Sequence, residues 1–203
     1  MKKVLIIIIA MIVAILGYAA VSPKDFKIEK SITINKPVAE VFSYLRLIKN
    51  SESWQPWTRM DPEMKKEFKG VDGTVGAISS WSGNSQVGIG EEEIKAISEN
   101  QRIDFELRFV KPLQTTNTAF LSTEEISANE TKVTWSMSGS TPFPFNLICI
   151  MMHETVEKNF EQGLNNLKTI LEKSPEAAVA TEVVADKVKT EVTSEVKAEE
   201  VKQ

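Results

Sequence analysis

Apolar and polar residues alternate with period two through the middle of this chain and recur with a helical period on either side of it. From Phe26 to Ile34 the apolar residues Phe26, Ile28, Ile32 and Ile34 alternate with Lys27, Glu29, Ser31 and Thr33. This predicts a half-buried first strand with Lys30 as its exception. Pro37 suits the first turn of a helix, where a missing N–H costs nothing. Val38, Val41, Phe42, Leu45 and Ile48 then supply a buried stripe up to a helix end near Asn50. Residues 51–58 carry Trp54, Pro56 and Trp57 and read as a short second helix or turn, capped by Ser51 and plugging a sheet.

Between Lys65 and Ser140, turn residues recur at Val71-Asp72-Gly73, Gly83-Asn84, Glu99-Asn100, Lys111-Pro112 and Ala128-Asn129-Glu130. The spacing fits a meander of about six strands. Ile103, Phe105, Leu107 and Phe109 oppose Asp104, Glu106 and Arg108, while Val133, Trp135 and Met137 oppose Thr134, Ser136 and Ser138, so one face is apolar and the other wet. That apolar face needs a cover. The candidate runs from Leu147 to Leu171, where His153, Val156, Phe160, Leu164, Leu167 and Leu171 recur at helical steps and Gly163, on the same side, permits close approach to the sheet.

The ends have a different character. After Lys2 and Lys3, residues 4–21 carry no charge, and as helix they would rise about 27 Å, close to the thickness of a hydrocarbon core. The length of this run favours an uncleaved single-pass anchor in residues 1–22. Small residues Gly17 and Ala19 at signal-peptidase spacing keep a cleaved signal open. The lysine pair favours an inside N-terminus and an extracytoplasmic domain, against Lys24, Lys27, Lys30 and Lys36, which follow the run. Residues 174–203 lack aromatics and read as a disordered, low-complexity tail, in which Val188, Val192 and Val196 could form a thin helical stripe.

The tail holds seven Asp/Glu against four Lys and so carries most of the net charge of −4, leaving a nearly neutral domain with no basic field for nucleic acid. The single cysteine, Cys149, excludes an intramolecular disulfide and any Cys-rich metal site, and its apolar surroundings read as core.

Several runs resemble the START-like, helix-grip superfamily (SRPBCC), in its polyketide cyclase/dehydrase and lipid-transport branch. They are Ile32-Thr33-Ile34-Asn35-Lys36-Pro37 into Glu40-Val41-Phe42, Trp54-Gln55-Pro56-Trp57, Trp81-Ser82-Gly83-Asn84, Val87-Gly88-Ile89-Gly90, Thr131-Lys132-Val133-Thr134-Trp135, and the closing helix from about Leu147. Together they cover residues 26–172. The resemblance implies an α+β helix-grip fold: a curved antiparallel sheet of about six to seven strands wrapped around a long C-terminal helix and enclosing a hydrophobic cavity. Here a transmembrane helix would precede it. Because such relatives include lipid carriers, ligand sensors, cyclases and chaperone co-activators, the resemblance implies a fold more firmly than an activity.

Trp54, Trp57, Trp81, Phe105, Phe109, Trp135 and Met137 are the candidates to line the cavity, where indole N–H groups would orient a ligand; the same side chains would equally fill a core. His153, the only histidine, joins them as a ligand-binding residue and would be the natural base, but Glu154 and Glu157 are its only evident neighbours. It lacks the second His or Cys pair that a metal site requires. Alternation sends Glu92 to the face opposite Glu91 and Glu93, although a solvated strand end or bulge accounts for the whole cluster. Gly88 and Gly90 lie in a strand pattern and lack the helix N-terminus that a phosphate cradle needs.

The function expected is a membrane-tethered domain that binds a hydrophobic small molecule or lipid without catalysis and without a cofactor. The alternatives are an enzyme of cyclase/dehydrase type on a hydrophobic substrate and an envelope scaffold or interaction protein that uses the tail.

Overall fold

A computed structural model describes residues 1–173; the tail, with its valine stripe, lies outside the described residues. The alternating segments become strands and the stripes become helices, in the order α1 (Lys2–Val21), β1 (Asp25–Ile34), α2 (Val38–Arg46), a 3-10 turn (Ile48–Asn50), α3 (Ser51–Trp54) and α4 (Trp57–Met60). Then follow β2 (Lys65–Lys69), β3 (Ile78–Ser82), β4 (Ile89–Ser98), β5 (Arg102–Lys111), β6 (Thr115–Ser127), β7 (Glu130–Ser140) and α5 (Asn146–Lys173). Ser51 is the first residue of α3 and makes no side-chain cap. The backbone N–H groups of Ile48 and Lys49 are held instead by the Asp72 carboxylate, at 2.8 and 3.3 Å.

The seven strands form one antiparallel sheet in the order β1-β7-β6-β5-β4-β3-β2. Strands β2 to β7 are a meander, and β1 closes it by pairing with β7, Asp25 opposite Ser140 and Ile34 opposite Thr131. Register shifts between Ile89 and Gly90 and between Ile94 and Ala96 bend β4 against β5, which supplies curvature.

The inner face is gripped by the second half of α5, whose Phe160, Leu164, Leu167 and Leu171 are all buried, each contributing about 1.5–3 kcal/mol of apolar burial. Polar ties set this helix along the β1 edge: Lys168 Nζ donates to Thr33 O at 2.7 Å, and Asn35 N–H donates to Glu172 at 2.7 Å. Lys30, the break in the first strand's alternation, pairs with Glu157 of α5 at 3.4 Å. Gly163 brings α5 close: a Cβ there would stand 3.0 Å from the Trp135 ring and 3.3 Å from Pro56. Phe160 stacks on Trp135 at 3.8 Å, and Trp54 meets Trp135 edge-on at 4.9 Å.

The outer face is drier than its sequence suggests. Ser136 is only 1% exposed, because its cross-strand neighbours are Glu29 and Phe120, and Arg102 stacks over the Phe120 ring at 3.7 Å.

At the other end of the chain, α1 is apolar and stands clear of the domain, with Ala19 as its one buried residue. Its 20 residues span about 30 Å, enough to cross a membrane, a property it shares with signal sequences.

Candidate functional site

The first half of α5 does not follow the second half onto the sheet. Between it, α3, α4 and the inner face of the sheet, from β1 to β2 across all seven strands, lies a cavity of about 630 Å3. All eight residues singled out from the sequence line it: Trp54, Trp57, Trp81, Phe105, Phe109, Trp135, Met137 and His153. They do so in two ways. Trp54, Phe105 and Trp135 are buried and form its floor, continuous with the core, whereas Trp57, Trp81, Phe109, Met137 and His153 are half-buried around it.

Each wall follows from local structure. In β5 the period of two directs Phe105, Leu107 and Phe109 inward, and Trp81 of β3 meets Phe109 edge-on at 5.6 Å. Gly90 makes room for the indole, since a Cβ there would come within 2.6 Å of the Trp81 ring. The Trp81 Nε1 is covered and has no hydrogen-bond partner among the described residues, so this N–H is not presented to a ligand. Asn117 adds a buried amide whose Oδ1, also without a partner, sits over Gly139.

The acidic run of β4 departs from the solvated strand end that the sequence suggested. Arg108 on β5 collects Glu91 and Glu93 at 2.7 Å each and also bonds Glu106, which keeps the guanidinium firmly charged and holds Glu93 below the usual carboxylate range. Glu92 turns the other way, between Ser79 and Leu107, and lines the cavity. Its carboxyl has no hydrogen-bond partner among the described residues. Burial pushes it up to about 7; the charge of Lys66 draws it partly back, and Asp72 adds to the rise. Protein surrounds the carboxyl, yet part of the residue's surface stays open to the cavity, so a ligand or water can reach it.

Lys66, also in the lining, donates to Thr58 Oγ1 at 3.0 Å and pairs with Glu52 at 3.4 Å. Glu92, Lys66 and Thr58 therefore make a polar corner in a mainly apolar chamber. The signal for Glu92 was in the sequence: counting back two from the core residue Ile94 puts it on the inner face. Lys66 had no comparable signal, because β2 is short and largely exposed.

His153 stands at the cavity rim with its side chain 42% exposed, and its Nε2 lies 3.8 Å from Glu157, a carboxylate already shared with Lys30. Cys149 is not core. It is half-buried in the cavity wall, with Sγ 2.8 Å from Thr141 Oγ1, because the start of α5 has no sheet beneath it. Among the described residues, no group of three or more His, Cys, Asp or Glu is placed to hold a metal ion.

Comparison with known proteins agrees with this geometry. Residues 25–172 match the family described as polyketide cyclase/dehydrase and lipid transport. No curated protein sequence matches the chain significantly. Among solved structures, the chain is similar to the Zhui aromatase/cyclase from Streptomyces sp. R1128, with TM-score 0.56 and 14% identity over 76% of this chain and 98% of that one. It is also similar to a protein from Nitrosospira multiformis, with TM-score 0.54 and 23% identity over 75% and 99% of the two chains. Ara h 8.0201 gives TM-score 0.53 and 15% identity over 74% and 99%. At these identities the likeness is one of fold.

Proposed function

We infer the function from one premise: the chain belongs to the polyketide cyclase/dehydrase and lipid transport family. Within that family we propose a membrane-tethered binding domain, residues 26–172 behind an anchor in residues 1–22, that holds a hydrophobic small molecule or lipid between sheet and α5 without transforming it. The lysine pair before α1 favours a domain on the extracytoplasmic side.

The observation that carries this reading is the cavity itself. Its volume of about 630 Å3 lies within the roughly 300–1,000 Å3 of small-molecule sites, and aromatic and aliphatic side chains make most of its wall. Such a lining rewards apolar area and does not define one reacting atom. The polar corner of Glu92, Lys66 and Thr58 favours a ligand with a long apolar body and one polar end.

Titration of the full chain in mild detergent with a fluorescent polyene fatty acid tests the reading. Saturable binding is expected, and it should weaken in Leu107→Trp, which narrows the cavity. Absence of saturable binding in the native chain would refute it for acyl ligands.

Glu92 favours a second reading, chemistry of cyclase/dehydrase type on a hydrophobic substrate, since a carboxyl near neutrality can give and take a proton there. Turnover of a discovered substrate that survives Glu92→Gln would remove Glu92 from that role.

A further inference from the structure

We propose that the loop before α5 and the first two turns of α5 dock into the lipid bilayer beside α1, setting the cavity mouth against the membrane so that ligand passes between bilayer and cavity without crossing water. The inference rests on the binding and tethering reading above and adds to it a surface, a partner and a route.

Residues 133–152 contain no Asp, Glu, Lys or Arg. Within them, Leu147 to Met152 are six consecutive apolar or thiol residues on a helix, so they point in every direction around it. Ile148, Cys149 and Met152 face the cavity, whereas Ile150 and Met151 are exposed and line none of it, Met151 at 80%. Phe143 and Phe145 on the preceding loop are exposed as well. A helix that is apolar all round is ordinarily buried, and a clustered apolar surface marks a contact site.

The position of this surface identifies its partner. Asn146 is fully buried, and its Nδ2 donates to Ala19 O at 2.8 Å, Ser22 O at 3.2 Å and Pro23 O at 3.3 Å. The start of α5 is thereby tied to the last turn of α1, where an anchored chain leaves the hydrocarbon. The Thr141 N–H donates to Lys24 O at 2.8 Å, fixing the loop beside the same exit. The six apolar positions cover nearly two turns, and an interfacial helix sinks such an apolar face roughly 5–10 Å into a membrane. Since Ile148 and Met152 belong to both the cavity wall and these turns, docking places the mouth at the lipid surface.

The test uses the full chain in phosphatidylcholine vesicles, with Cys149→Ser as background and an environment-sensitive fluorophore on Met151→Cys. Ile126→Cys is the comparison: Ile126 is also apolar and exposed, at 51%, but lies at the end of the sheet away from α1. Spin-labelled lipid should quench the label at position 151 several-fold more than the label at 126. Equal quenching would overturn the proposal. So would a dry label at 151 that lipid does not quench, which would assign the face to a second copy of the chain.

The route is tested by Met151→Asp. Loading of the polyene fatty acid from vesicles should slow about tenfold, through loss of one buried methionine, while saturable binding in micelles is unchanged. Unchanged loading from vesicles would overturn the route. Loss of binding in both settings by the native chain would defeat the binding reading alone, because lipid quenching reports docking without any cargo.

Discussion

Replacing Glu92 by Gln should stabilise this protein, and by an amount that depends on pH. The carboxyl sits on the apolar inner face of the sheet between Ser79 and Leu107, and burial lifts it from 4.5 to about 7. Between those values the folded chain keeps a proton that the unfolded chain has lost, so stability falls as pH rises across the window. Above about pH 7 both states are ionised and the full cost is present; below 4.5 both are protonated and it vanishes. The shift corresponds to at most about 3 kcal/mol, and water in the cavity keeps the value below that ceiling. Gln has nearly the same shape and no charge to desolvate. Thermal unfolding of the full chain in mild detergent at about pH 5 and about pH 8 should show the variant gaining up to about 10 °C at the higher pH and much less at the lower. Parallel profiles for the two proteins, or a variant less stable at about pH 8, would refute the placement of Glu92 in an apolar cavity.

Gly163→Val should lower stability by about 1–3 kcal/mol in urea unfolding, because Trp135 is clamped between Trp54 and Phe160 and cannot yield to a new side chain 3.0 Å away. Gly90→Ala should displace the Trp81 ring and shift β4 against β5, because a Cβ would come within 2.6 Å of the ring and 2.8 Å of the Arg108 carbonyl oxygen. The expected result is a changed tryptophan emission and weaker binding of the polyene probe, with the fold retained by circular dichroism.

The inner face of β5 could be read directly, because Ile103, Phe105, Leu107 and Phe109 alternate without interruption and the strand remains regular where they lie. The closing stripe was legible for the same reason, from Phe160 to Leu171, where helix and sheet are in full contact. Its first half misled. Cys149 lies in an apolar run that looks like core, but the run is apolar because it faces a cavity on one side and stands exposed on the other. Lys30 looked like a defect in a strand and is one half of a tie to Glu157, a partner too distant in sequence for periodicity to reveal. Ser136 reads as wet by alternation and is covered by its neighbours across two strand pairs. Glu92 is the instructive case. Alternation separated it from Glu91 and Glu93, and the pairing of β4 with β5, which gives those two to Arg108, leaves it on the inner face with Ile94.

The proposed function stands on the chamber between sheet and helix taking up an apolar ligand. Native mass spectrometry of the full chain, released gently from membranes, tests it most directly. A non-covalent hydrophobic adduct, one per molecule, is expected on the native chain, at reduced occupancy in Leu107→Trp. Bare protein that also takes up no polyene fatty acid would contradict it, as would an adduct that persists undiminished when the cavity is narrowed.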